Sequence, residues 1–180
     1  MGNAKSYADR LFDFPEIGPL NAAAARQAIT QPVTDQGMKI AAEAADMIVA
    51  ESQGYPYFLQ EWGKHAWDAA ASSPIRVQDV KNATASAIAA LDESFFRVRF
   101  DRLTPAEKKY LRAMAELGPG PHRSGSIAEE LKREVTSLGP TRNKLIAKGM
   151  IWSPNHGDTA FTVPLFDQFM RRIMPGDGWQ

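Results

Sequence analysis

Residues 103–120 read LTPAEKKYLRAMAELGPG, and the fold is decided there. Thr104-Pro105-Ala106-Glu107 is a capping box with proline at the first helical position. The threonine hydroxyl and the glutamate carboxylate can each take a backbone amide that a helix start leaves without a partner, and proline has no amide to satisfy. The helix so opened runs to Leu117 and meets breakers at Gly118–Pro121. Ser126-Ile127-Ala128-Glu129 is a second capping box, predicting a short helix to about Glu134, and a third helix is expected from near Pro140 to Gly149. Met150–Ser153 and Ala160–Val163 read as two strands joined by Pro154–Thr159, and a last helix spans Leu165 to Met174. Three helices followed by a hairpin is the winged-helix order, in which the second and third helices form a helix-turn-helix.

Working back from Leu103, the pattern changes over Phe96–Leu103, FRVRFDRL, which marks a joint between two units. Before it lie four helical patterns. Asn21 can cap a helix over Ala22–Thr30, ended by Pro32. A second, about Lys39 to Ser52, aligns Ile40, Ala44, Met47 and Ile48 on one stripe, and Gly54 is placed to end it. Pro56 suits the first turn of a third helix, with Tyr55, Phe58, Leu59, Trp62 and Ala66 as its apolar face. The fourth, Val77 to Phe95, buries Val80, Ala83, Ala87, Leu91 and Phe95. Arg10–Leu20, RLFDFPEIGPL, reads as a short strand and turn with no partner strand nearby, as if it belonged to a sheet elsewhere.

The bulk properties are those of a globular chain: 180 residues, 44% hydrophobic and 23% charged, room for one ordinary domain or two small ones. No apolar run approaches the length of a membrane span, the N-terminus lacks a signal-peptide core, and the absence of cysteine removes disulfides and thiolate metal sites. A cytoplasmic location, with no membrane partner, is the expectation. Formal net charge is zero, but its distribution is uneven. Residues 1–100 carry 9 Lys/Arg and 12 Asp/Glu, whereas residues 101–180 carry 12 and 9, so the second unit is the more basic.

Catalytic chemistry is not encoded here. There is no GxxxxGK[ST] loop to hold phosphates, no GxSxG elbow and no HExxH motif. His65, His122 and His156 stand apart, with no ligand-spaced partners, and read as helix-face or loop residues. No acidic cluster is placed to hold Mg²⁺ for phosphoryl transfer. The expectation is a fragment that is not an enzyme, with no catalytic or metal residues.

At Gly54–Trp62, GYPYFLQEW, the chain resembles the lid of STAND-class and archaeal-type AAA ATPases, which carry a Gly-x-Pro motif at the start of a lid helix. Phe14–Leu20 looks like the segment joining the last core strand to the lid. Leu103–Gly118 and Thr141–Trp152 look like the winged helix that often follows in initiator-like and STAND ATPases. The resemblance implies a mainly α chain, a four-helix lid-type bundle followed by a winged helix with a small β-wing. It divides into residues 1–20, the end of the ATPase core or connector; 21–98, the lid; 99–174, the winged helix; and 175–180, a tail. It also implies that the parent protein binds ATP or ADP with Mg²⁺, that Gly54, Tyr55 and Pro56 contribute to nucleotide binding only with an N-terminal ATPase core, and that this core is the partner. Many AAA lids sense the γ-phosphate with an arginine near this helix start. Here Tyr55 and Tyr57 flank the proline, and no arginine falls between Arg26 and Arg76.

Two functions remain open at this level. The third helix of the winged unit offers Thr141, Arg142, Asn143, Lys144 and Lys148, with Lys132 and Arg133 before it and His156 in the wing, groups suited to phosphates and base edges of double-stranded DNA. Asp158 in the wing opposes phosphate. Alternatively, the winged helix is an intramolecular regulatory or protein-interaction module without DNA binding, for which Phe95, Phe96, Val98, Phe100, Trp152 and Phe166 supply apolar surface.

Overall fold

The computed structural model describes residues 18–176, 178 and 179. The strand expected at residues 10–20 lies outside them apart from its last three positions, which form no strand. The fold is mainly α, a helical bundle followed by a winged helix. Helices α1 (Ala22–Asp35), α2 (Ala42–Ser52), α3 (Pro56–Ala69) and α4 (Val77–Leu91) build the first part. A π-helical turn, Asp92–Phe96, and the short α5 (Arg97–Phe100) lead into α6 (Pro105–Leu117). Then come β1 (His122–Arg123), α7 (Ser124–Glu130), α8 (Val135–Ala147), β2 (Ile151–Trp152), β3 (Asp158–Phe161) and α9 (Phe166–Ile173). None of the described helices is long and apolar enough to cross a membrane.

Several starts and stops follow from local chemistry. The Asn21 side chain accepts from the Ala24 amide at 2.9 Å, capping α1. Thr104 and Glu107 close their capping box reciprocally, the Thr104 amide donating to Glu107 Oε2 at 2.7 Å and the Glu107 amide to Thr104 Oγ1 at 3.4 Å. On α3, Phe58, Leu59, Trp62 and Ala66 are buried, and they meet Val80, Ala83, Ala87 and Leu91 of α4. The alanines give α4 a low ridge against which the bulky α3 face packs closely.

Other boundaries move from their expected places. Pro32 does not end α1, which continues to Asp35, because Ile29 and Val33 on either side of it are both buried and hold the backbone in register. Residues 39–41 are extended rather than helical: Ile40 pairs with Ile75 in a parallel bridge, the Ile75 amide donating to the Lys39 carbonyl and the Ala41 amide to the Ile75 carbonyl. Helix α7 starts at Ser124, so the Ser126 box is not used; the Ser124 amide and hydroxyl both donate to the Gly157 carbonyl in the wing, at 3.0 and 3.1 Å. Helix α8 starts at Val135, with Pro140 inside it, since burial of Leu138 draws the preceding turn onto the core. The expected two-stranded wing is a three-stranded antiparallel sheet in the order β1-β3-β2, with His122 opposite Thr159 and Trp152 opposite Ala160.

Within Phe96–Leu103, where the joint is expected, Phe96, Phe100 and Leu103 are buried in the hydrophobic core. The widened π-turn buries two successive aromatics, Phe95 and Phe96. The Phe96 ring lies 5.4 Å from Phe58 of α3 and 5.7 and 5.3 Å from Phe166 and Phe169 of α9, centroid to centroid. A bidentate pair from Arg172 to Asp92, at 2.8 and 2.6 Å, closes the rim of this packing. Glu107, almost fully buried, is clasped by Lys148 at 2.7 Å, and Lys148 also donates to the Arg102 carbonyl at 3.0 Å. Burial pushes the Glu107 carboxyl up, but the hydrogen bonds from Lys148 and Thr104 outweigh it and hold it below the ordinary carboxylate range.

Two outcomes test this account. Phe96→Ala should cost about 3–5 kcal/mol, the range for a buried aromatic truncation, with urea unfolding remaining a single transition because the two parts share the core. Glu107→Gln should cost about 1–3 kcal/mol at pH 7. Because the folded carboxyl titrates below the unfolded one, its stabilisation is present above about pH 4.3 and fades as pH falls through the folded value. Denaturation curves of Glu107→Gln and the parent protein should therefore converge at acid pH.

Candidate nucleic-acid interface

Helix α8 is the recognition-helix position of the winged unit. Its inner side is fixed by Leu138 and Leu145, both buried, which fit the spacing of two helical turns. Thr141 and Arg142, half-buried, flank that stripe, and Asn143 and Lys144 are exposed. Because α8 begins at Val135, its N-terminal turn presents Val135, Thr136 and Ser137, residues that lie before the start expected near Pro140. Val135 is 46% exposed. An apolar side chain and a threonine at this end suit the thymine methyl and base-edge contacts of a recognition helix. Capping and breaker signals alone point past this turn.

The expected cationic row divides in two. Arg142 turns to the wing: Nε donates to Thr159 Oγ1 at 2.9 Å, and Nη2 donates to Ser153 Oγ at 2.9 Å and to the Asp158 carbonyl at 3.0 Å. Thr159, fully buried, also bonds the Tyr110 hydroxyl. Burial pushes the Tyr110 phenol up, and Thr159 and Arg142 only partly offset this. The guanidinium is thus a strut between α8 and the hairpin. Lys148 is likewise engaged, by Glu107 and the Arg102 carbonyl, although its side chain stays 37% exposed. Lys144 and Asn143 keep exposed side chains, as do Lys132 and Arg133 in the turn between α7 and α8. Lys132 sits at φ 51, in the left-handed region. His156 is exposed at the wing tip.

Wing charge is also arranged differently from expectation. Asp158 is paired with Arg123 at 3.1 Å, and Arg123 donates to the His156 carbonyl at 3.4 Å. The carboxylate that opposed phosphate is therefore neutralised locally, and Arg123 remains 73% exposed at the side chain.

The Gly-x-Pro segment has its own geometry. Gly54 sits at φ +67, and a Cβ there would come within 2.7 Å of the Leu20 carbonyl oxygen, so only glycine fits without a shift. The Leu20 amide donates to the Gly54 carbonyl at 2.9 Å, tying the segment before α1 to the start of α3. Tyr55, half-buried, packs its ring 4.6 Å from Phe58, and the exposed Tyr57 stacks on Phe95 at 5.1 Å. Pro56 is the first residue of α3 and is exposed.

The histidines are dispersed. His65 lies on α3 with Glu61 one turn earlier, 3.7 Å from its Nε2, so it does have a carboxylate neighbour at helical spacing. The His122 Nε2 is 2.9 Å from the Gly118 carbonyl. Among the described residues no group of three or more His, Asp or Glu is arranged to hold a metal ion.

Against known proteins, a family model described as a domain of unknown function (DUF8462) matches residues 93–170, from the π-turn into α9. Comparison with curated proteins returned no match. Among solved structures, a variant of RuvB from Thermotoga maritima is similar at 17% identity with a TM-score of 0.42. The Thermotoga maritima RuvB Holliday junction branch migration motor is similar at 19% identity with a TM-score of 0.40. In each case 81% of this chain is covered, and the chain spans about half, 47%, of the RuvB chain.

The division of the cations predicts opposite costs. Arg142→Ala should lower stability by about 1–3 kcal/mol, the penalty for stranding buried hydrogen-bonding groups, whereas Lys144→Ala should stay within about 0.5 kcal/mol of the parent, as surface changes do. Thermal denaturation of the two variants reads the difference directly.

Proposed function

We propose that the winged helix binds double-stranded DNA and that the chain is the non-catalytic C-terminal part of an AAA/STAND-like ATPase. In this reading the helices before the π-turn act as its lid. The observation that carries DNA binding is the outward set on and before α8, in which Lys132, Arg133, Asn143 and Lys144 are exposed. Thr136 and Val135 at the N-terminal turn would meet base edges; Lys132, Arg133 and Lys144 would meet phosphates. Arg123 and His156 extend the surface along the wing. The charge involved is modest, so the binding would be moderate and steeply salt-dependent.

The lid assignment rests on the Gly54-Tyr55-Pro56 start of α3 and on the sequence resemblance. In the parent protein these three residues would face ATP or ADP across a cleft completed by an N-terminal core, which would supply the phosphate loop and Mg²⁺. Regulation by packing rather than DNA binding is the second reading. It is favoured by one feature, the 51% exposure of Trp152 on β2.

Fluorescence anisotropy with a labelled duplex near 50 mM salt is the test. Binding should weaken as salt rises, and Arg133→Glu with Lys144→Glu should weaken it by about tenfold or more, as charge reversal at two phosphate-binding positions implies. Binding indifferent to both changes would reject this face, and absence of binding would favour the regulatory reading.

A further inference from the structure

A cleft of about 710 Å³ lies away from the outward face of α8, where α5 approaches the end of that helix and the strand-to-α9 segment. Its lining includes Arg99, Arg102 and Lys148 together with Tyr55, Val98 and Val163. That volume is within the usual range of small-molecule sites, roughly 300–1,000 Å³.

The charge in this cleft is unbalanced. Three cations line it and no carboxylate does. Lys148 is answered by Glu107 at 2.7 Å, so the excess falls on the two arginines. Arg99 is held in place: its guanidinium carbon lies 3.6 Å from the centroid of the Phe95 ring, and Nη1 donates to the Phe95 carbonyl at 2.8 Å. Its remaining N–H groups have no partner among the described residues. Arg102 is positioned through its backbone, whose amide donates to the Arg99 carbonyl at 3.3 Å and whose carbonyl accepts from Lys148 Nζ at 3.0 Å. Its side chain is exposed and makes no ion pair among the described residues. Two guanidinium groups without counter-ions in one concave site favour an anion, and their planar forks match phosphate oxygens.

The remaining wall is apolar. Val98 is 47% exposed, Val163 half-buried, and Tyr55 offers part of an aromatic ring. A bare inorganic ion would leave that surface wet. We infer that this cleft binds an organic phosphate, a small molecule with a phosphate group held by Arg99 and Arg102 and an apolar or aromatic body against Tyr55, Val98 and Val163. Tyr55 is also one of the three residues that the lid reading turns toward nucleotide, but Arg99 and Arg102 are not, so Arg102→Glu separates this site from that one. Lys148 reaches the cleft from just past the end of α8.

Isothermal titration of the 180-residue chain with adenosine monophosphate, and separately with inorganic phosphate, is the test. The expected result is saturable binding of the nucleotide that is tighter than that of phosphate. Arg102→Glu, at an exposed position, should weaken nucleotide binding by about tenfold or more, the scale expected when one charge-assisted hydrogen bond is replaced by repulsion, with an unchanged melting temperature. Val98→Asp should weaken the nucleotide more than phosphate. Lys144→Glu should leave nucleotide binding unchanged while impairing DNA binding, so that failure of one reading is distinguishable from failure of the other. No saturable nucleotide binding, or binding indifferent to Arg102→Glu, overturns the site. Equal affinity for phosphate and nucleotide overturns the organic body.

Discussion

The packing of Phe96 between Phe58 on one side and Phe166 and Phe169 on the other constrains most of what surrounds it. An aromatic ring buried to 1% exposure on a π-helical turn commits the backbone there, because the ring cannot turn outward without opening the core on both sides. The last helix, α9, is thereby docked on the end of the first bundle. Phe95 and Phe100 extend the same cluster, with Phe100 5.8 Å from Phe169. The buried residues of the helices preceding the π-turn and of the winged helix thus belong to one hydrophobic cluster. The Asp92–Arg172 pair closes the rim of that contact, while the Glu107–Lys148 pair ties α6 to the end of α8 within the winged helix.

That shared core determines where charge is available. Fixing α6 and α8 against each other places Lys148 over Glu107 and leaves it little freedom to reach a ligand outside. Fixing α8 against the wing places Arg142 among Thr159, Ser153 and the Asp158 carbonyl. Both side chains would be strong phosphate ligands if free; here they brace the scaffold. Lys144 on α8 and Arg133 in the turn before it keep exposed side chains. Arg99 and Arg102 line one cleft with Thr162 and Val163 of the segment that follows β3.

Much of the fold was legible in local sequence. The Thr104–Glu107 box, the proline starting α3, the glycine at Gly54 and the apolar stripes of α3 and α4 act within one or two turns, where a few side chains decide the outcome. Elements set by distant partners were not legible. Strand β1 is two residues long and exists because Asp158 and Thr159 lie opposite it. The extended run at Ile40 follows from Ile75, and the start of α7 from the Gly157 carbonyl. Pro32 and Pro140 read as helix limits, yet each lies inside a helix, the loss of one backbone bond being smaller than the burial gained on either side.

The site divides in the same manner. Sequence by itself determined which chemistry the chain can offer: cations and an amide on a helix-turn-helix, no phosphate loop, no thiols, and a glycine and proline at a helix junction. These are properties of residue type and short-range spacing. Only the tertiary structure decided which of those groups face outward, since a side chain three residues along a helix points to a different neighbour, and that neighbour comes from elsewhere in the chain. Arg142 and Lys144 are two positions apart, both cationic and on one helix. Long-range packing alone makes the first a brace and leaves the second exposed.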